Sequence, residues 1–284
     1  MKILLIQEAS RHKENVVFRE CLSLRRAFEY NNHQADVWGL GHDNFIHTPE
    51  WESYDLIINL ENYDEAGWVP NLSSIQTVKC LWSIDAHCKG INSYLKTFVD
   101  GKYDFILQAT PEFLDENSVW MPNAYDDDII KPLNLEKKYD VGFCGHINNR
   151  RTLIDILQGN FNFRLDEGVR GDNMVEAINR YRIHFNANIS IDINYRHFET
   201  IGCGTCLLTS YNKHLSTLGF EDGVNCIIYR NAREMLQKTQ KILDNPEQLD
   251  TIVSGGLTLA TDHTYKKRIP LILNAYNHFK NRNK

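Results

Sequence analysis

No stretch of this 284-residue sequence is apolar for long enough to span a bilayer, so a helical membrane protein is not expected. The first residues, Met1-Lys2-Ile3-Leu4-Leu5-Ile6-Gln7, turn polar too soon for a signal peptide and read as a first strand. An excess of positive charge is also missing. The net charge of −6 argues against a protein whose whole surface grips nucleic acid, although a local basic groove stays open. Neither the G-x-G-x-x-G fingerprint nor a P-loop occurs, which disfavours NAD binding and P-loop phosphoryl transfer. The seven cysteines are odd in number and scattered through apolar segments; they suggest reduced thiols in a cytoplasmic protein rather than a disulfide framework. Cys203 and Cys206 form a C-x-x-C, but no second pair lies nearby and Cys206 falls inside a predicted strand, against zinc or thioredoxin chemistry. His12, His42 and His47 lack metal-ligand spacing. Short repeats and low-complexity segments are absent.

What is present is an ordinary globular composition, 42% hydrophobic and 24% charged, in a chain long enough for two modest domains. Apolar runs at 2–7, 36–40, 55–60, 78–83, 103–108 and 119–121 read as strands, with a helix predicted over 16–31. Near-continuous apolar strands separated by crossovers predict a parallel sheet covered on both faces. Residues 122–138 hold two prolines and three consecutive aspartates and read as a linker. The pattern then restarts. Strands are expected at 140–145, 161–165, 183–187 and 225–229, and helices at 150–157, 173–181, 232–243, 246–254 and 263–280. The expected class is therefore α/β, with domains at 1–121 and 139–262 and a closing helix at 263–284. Open parallel sheets bind ligands beyond the carboxyl ends of their strands, so two such edges facing each other would form one deep cleft.

The organising stretch is Asn194 to Thr209. Arg196 and Glu199 are three apart and share a helix face, Gly202 and Gly204 end that helix, and a short buried strand follows. A guanidinium beside a carboxylate at a sheet edge suits a nucleotide, phosphate to the cation and ribose hydroxyls to the anion; a surface ion pair is the plainer alternative. Cys144-Gly145-His146-Ile147-Asn148-Asn149-Arg150-Arg151 leaves a strand and opens a helix, where glycine permits close backbone approach and free N–H groups favour an anion. Either arginine would suit a pyrophosphate, or both lie on a solvated first turn. Asp85 and His87 follow a strand and are candidates for taking a proton from an acceptor hydroxyl, with helix capping the alternative for Asp85. Other polar groups expected at the carboxyl edges are Glu8 to His12, Glu61 to Glu65 and Asn186 to Asn188. Asp126-Asp127-Asp128 invites a divalent cation, but sits in the expected linker, where a solvated charge run is commoner.

Four pieces of the C-terminal half resemble GT-B glycosyltransferases, most closely the group-1-like C-terminal domain of CgeB-type proteins. These are Tyr139 to Gly145 with Arg150-Arg151, the Arg196-x-x-Glu199 stretch running to Leu208, Phe220 to Tyr229, and His263-Thr264 before the last helix. The resemblance implies two Rossmann-like domains facing across a cleft, with a C-terminal helix crossing back to the N-terminal, acceptor-side domain. It implies sugar transfer from a nucleotide-diphosphate donor, a UDP-sugar first, to a hydroxyl acceptor, with no obligatory metal. Glu199 would hold the ribose, and Arg196, Arg150 and Arg151 would neutralise the departing diphosphate. Gly145, His146, Asn188 and Thr200 complete the expected donor site.

The sequence departs from the related retaining enzymes at one position. They carry a second glutamate eight residues before the one matching Glu199, and here that position is Ile191, with Asp192 beside it. If the reaction inverts, Asp85 is the first choice of base and His87 the second. Two alternatives stay open: a binding module that keeps the nucleotide-sugar site without turnover, and a metal-dependent GT-A-like transferase working through Asp126 to Asp128. The acceptor, whether polysaccharide, protein, small molecule or modified nucleic acid, is not legible.

Overall fold

A computed structural model describes residues 1–61 and 67–282. The chain forms two compact units, Met1–Asn123 with Tyr265–Lys284, and Ala124–Thr264.

In the first unit, strands β1 (Lys2–Ile6), β2 (Gln34–Trp38), β3 (Leu56–Leu60), β4 (Val78–Ser83), β5 (Phe105–Gln108) and β6 (Ser118–Trp120) pair in parallel, in the order β2-β1-β3-β4-β5-β6. Their apolar runs are buried because helices cover a parallel sheet on both faces; every residue of β3 is buried. Helix α1 (Glu20–Tyr30) lies against β2 and against the last helix, α9 (Tyr265–Arg282). Two further helices, α2 (Ala86–Lys89) and α3 (Ile91–Asp100), fill the crossover from β4 to β5. On α9, Phe279 stacks on Phe105 of β5 at 5.1 Å. The buried Arg268 guanidinium donates to the carbonyls of Pro122 and Asn123, both at 2.9 Å, fixing the segment that leaves this unit.

The second unit repeats the plan with strands β7 (Tyr139–Gly145), β8 (Phe163–Glu167), β9 (Tyr181–Asn186), β10 (Cys206–Ser210) and β11 (Ile227–Tyr229), in parallel order β11-β10-β9-β7-β8. Its helices are α4 (Arg151–Gln158), α5 (Gly171–Arg180), α6 (Tyr195–Gly202), α7 (Ala232–Leu243) and α8 (Pro246–Ala260). Val141, Phe143, Ile154, Leu157, Ile183, Phe185 and Leu208 form the centre of its core. Each such side chain contributes about 1.5–3 kcal/mol by leaving water. The fold class is α/β, two Rossmann-like units each built on a parallel sheet.

Three boundaries differ from expectation for identifiable reasons. The helix predicted over 16–31 divides into a 3-10 turn, Lys13–Phe18, and α1, because Arg19 between them is extended (φ −64°, ψ 143°). The strand predicted at 36–40 begins earlier, since its ladder with β1 pairs Lys2 with Gln34 and Ile6 with Trp38. Helix α8 runs on through Gly255 and Gly256 to Ala260 instead of stopping at 254. A Cβ on Gly255 would lie 2.4 Å from the Val224 carbonyl oxygen, so these glycines let the helix approach its neighbour rather than end it.

Candidate functional site

In the second unit β7 lies between β8 and β9, so the chain leaves β7 in one direction and returns on its other side. Such a switch point is where open α/β sheets hold ligands. The β7–β9 register ends at Gly142 opposite His184, while β7 continues along β8 to pair Gly145 with Glu167. Beyond Gly142 the backbone groups of Cys144 on the β9 side are taken by side chains. Its N–H donates to His184 Nε2 at 3.3 Å, and its carbonyl accepts from Arg196 Nε at 3.0 Å.

Gly145 ends β7 with φ +153°, a conformation that suits glycine, and starts the turn that carries His146. Arg150, at the end of a 3-10 turn (Asn148–Arg150), is 7% exposed. Its Nε donates to the Ala187 carbonyl at 2.7 Å and its Nη1 to the His146 carbonyl at 3.0 Å. The side chain therefore spans the carboxyl ends of β7 and β9. Burial pushes its pKa down from the ordinary arginine value, and the Asp192 carboxylate acts in the opposite direction. Arg151 is placed differently: its side chain is 56% exposed and pairs with Asp155, one turn along α4, at 3.7 Å. The structure thus brings Arg150 to the switch point and leaves Arg151 on the helix surface.

Helix α6 begins where the Asn194 side chain accepts from the Arg196 N–H at 3.1 Å, an N-cap bond worth about 1 kcal/mol. Arg196 Nη1 pairs with Glu199 Oε2 across one turn, so the expected face-sharing pair forms, and both side chains are largely buried. Burial is the largest influence and disfavours the Arg196 charge, but Glu199 together with the neighbouring Cys144 and Cys203 acts the other way, and the pKa is raised. Thr200 is 0% exposed, and its hydroxyl is engaged within the fold: it donates to the Arg196 carbonyl at 2.5 Å and lies 2.6 Å from His184 Nδ1.

Sequence reasoning does not identify His184 and His197, and both are fully buried. Burial holds His184 well below the usual histidine range and lowers His197 to about 4, so both rings are neutral near pH 7. His197 Nδ1 lies 3.1 Å from the Asn194 carbonyl and Nε2 lies 2.9 Å from Thr209 Oγ1 on β10, which seats the start of α6 on the sheet. The signal that was available is a polar residue on an inward position of a strand or helix, which needs fixed partners when buried.

Asn188, just past β9, donates from its backbone N–H to Ser210 Oγ at 3.1 Å. Its side-chain oxygen is shielded from solvent and accepts no hydrogen bond from the described residues. Asp192, 4% exposed, accepts from the Ser190 N–H at 3.0 Å, whereas its neighbour Ile191 is exposed.

In the first unit, Asp85 occupies the position before α2, exposed and making no side-chain capping bond; His87 is the second residue of that helix and half-buried. The Glu61 carboxylate, at the end of β3, accepts from the N–H groups of Ile84 (2.5 Å) and Asp85 (3.1 Å) and lies 3.6 Å from Lys89 Nζ. It fixes the turn that presents Asp85. The rest of the polar loop expected there, 62–65, lies outside the described residues. Asp126 is buried and accepts from the Asp128 N–H at 3.1 Å, an arrangement that closes a local turn. Among the described residues no group of three or more His, Cys, Asp or Glu side chains is placed to hold a metal ion, and no helix is long and apolar enough to cross a membrane.

Several solved structures share the fold over nearly the whole chain. The Anabaena protein HepE, in complex with UDP and glucose, aligns with a TM-score of 0.68 at 12% identity, covering 97% of this chain and 100% of that one. An alpha-glucosyltransferase in complex with UDP and a 13-mer DNA gives 0.66 at 11% identity, covering 96% and 100%. T4 phage BGT, in complex with UDP and Mn2+, gives 0.62 at 13% identity, covering 99% of each chain. At these identities the likeness establishes the fold, which is GT-B. No curated protein matches by sequence. A family model described as glycosyl transferase-like matches residues 128–274, just over half of the chain and nearly all of the unit that carries Arg150, Arg196 and Glu199. The chain belongs to that glycosyl transferase-like family.

Proposed function

We propose that the protein transfers a sugar, a hexosyl group or a close relative, from a nucleoside-diphosphate donor to a hydroxyl acceptor. The observation that carries this reading is the Arg196–Glu199 pair, anchored through Arg196 Nε to the Cys144 carbonyl at the switch point of the second sheet. Arg196 and Arg150 hold the diphosphate there and neutralise the charge that builds on it as the glycosidic bond breaks. Glu199 accepts the ribose hydroxyls. Gly145 and His146 let the backbone approach the ligand, and Asn188, just past the end of β9, completes the donor site. UDP is the first nucleotide to test, because UDP is bound in the structures of HepE, the alpha-glucosyltransferase and BGT.

The reading assigns no metal to the reaction, since two guanidinium groups supply the charge that a divalent cation would otherwise supply. Asp85 is the first choice for the base that takes the acceptor proton and His87 the second, as both follow the carboxyl end of β4. A cytoplasmic location fits the buried thiols of Cys21, Cys80, Cys144, Cys203, Cys206 and Cys226, which form no disulfides. The alternative, a binding module without turnover, is favoured by one observation: the exposed Ile191 stands where related retaining enzymes carry a glutamate. Incubating the protein with UDP-sugars, with and without acceptor extracts, and measuring released UDP separates the two. Acceptor-dependent release supports transfer, and binding without release supports the module.

A further inference from the structure

His184, Thr200, Arg196 and Cys144 form a closed ring of hydrogen bonds. The Cys144 N–H is an obligate donor, so His184 Nε2, 3.3 Å away, accepts. In a neutral imidazole the proton then sits on Nδ1, which donates to Thr200 Oγ1 at 2.6 Å. The Thr200 hydroxyl spends its own proton on the Arg196 carbonyl at 2.5 Å. Arg196 closes the ring by donating from Nε to the Cys144 carbonyl at 3.0 Å. Of the four bonds, two join α6 to β7 and β9 where those strands part, one joins the two strands and one lies within α6. We propose that His184 and Thr200 are positioning residues for Arg196, setting the guanidinium for the diphosphate of the donor.

The inference rests on the reading of Arg196 as a diphosphate-holding group. An ordinary core histidine needs any two partners. This one takes two groups that bracket Arg196: the N–H of the residue whose carbonyl receives its Nε, and the hydroxyl that holds its own carbonyl. Moving the ring would therefore shift both the backbone and the side-chain anchor of the guanidinium together. His184 and Thr200 are each 0% exposed, so water cannot replace either of them without repacking. His197 plays no such part, because its partners are Asn194, Asn186 and Thr209 and not Arg196.

Two measurements test the proposal. Nitrogen-detected imidazole spectra of the wild type read the tautomer without any ligand. His184 is expected to be neutral near pH 7 with its proton on Nδ1; a proton on Nε2, or on both nitrogens, overturns the ring. The second compares UDP with uridine, which lacks the phosphates, in wild type, Thr200→Val and Thr200→Ser. Thr200→Val is expected to weaken UDP on the order of tenfold and leave uridine within about twofold, whereas Thr200→Ser, which keeps the hydroxyl, stays near wild type. Equal loss of UDP and uridine in Thr200→Val, or no loss of either, overturns the positioning role alone. A folded wild type that binds none of UDP, GDP, ADP and dTDP overturns the donor-site reading beneath it.

Discussion

Arg150 donates from Nε to the carbonyl oxygen of Ala187 at 2.7 Å, tying the turn after β7 to the end of β9. This bond, with the second one to His146, makes Arg150 a structural member of the crevice as well as a cation within it. Arg150→Ala should therefore lower stability by roughly 1.5–3 kcal/mol, the scale of losing charged hydrogen bonds, and weaken UDP binding too. Arg151→Ala, which removes only an exposed i,i+4 pair, should change stability by less than about 0.5 kcal/mol. Urea denaturation of both variants checks the contrast. Equal effects would mean that the two arginines are not distinguished as the structure has them.

Glu199→Ala should weaken UDP binding by roughly 1–3 kcal/mol, the scale of losing hydrogen bonds to a charged acceptor. Calorimetry reads it. Wild-type affinity in that variant would remove Glu199 from the ribose.

Stability should fall as pH drops from about 6.5 to about 4. His197 is held near 4 by burial in the folded protein, while the unfolded chain titrates near 6.5, so between those values the unfolded state binds a proton that the folded state does not. The stabilisation is complete above about 6.5 and is lost progressively towards 4, roughly 3 kcal/mol from His197, with His184 acting in the same direction. Urea midpoints at pH 7.5, 6 and 5 follow it. A constant midpoint over that range would show that the two rings are not buried neutral.

Gly142→Ala should be destabilising by about 1–3 kcal/mol. A Cβ there would lie 2.2 Å from the Tyr181 ring, which crosses β7 at that point and donates to Asp166 at 2.5 Å. A thermal melt shows the loss, and an unchanged melting point would contradict the packing.

Much of the fold is legible in sequence because the buried strands are short apolar runs whose length and spacing separate them from helices. The strand at 78–83 and the helix at 232–243 fall where the pattern puts them. Helix α3 is not legible: Ile91-Asn92-Ser93-Tyr94-Leu95 carries β-branched, aromatic and capping residue types that favour no helix locally, and burial of Tyr94 holds it in place. The Arg196–Glu199 pair is legible because an i,i+3 spacing needs nothing but a helix. The choice between Arg150 and Arg151 is not, since adjacent residues differ only in which way a short 3-10 turn rotates them. His184 is invisible for a related reason. Its role depends on Cys144 and Thr200, 40 and 16 residues away, which only the tertiary fold brings to it.

The most direct test of the central claim is release of UDP from UDP-sugars by wild type and by Arg196→Ala, measured with acceptor present and with a chelator added. Acceptor-dependent release that survives chelation and falls by tenfold or more in the variant is the predicted result. Turnover unchanged in Arg196→Ala, or abolished by the chelator, would contradict it.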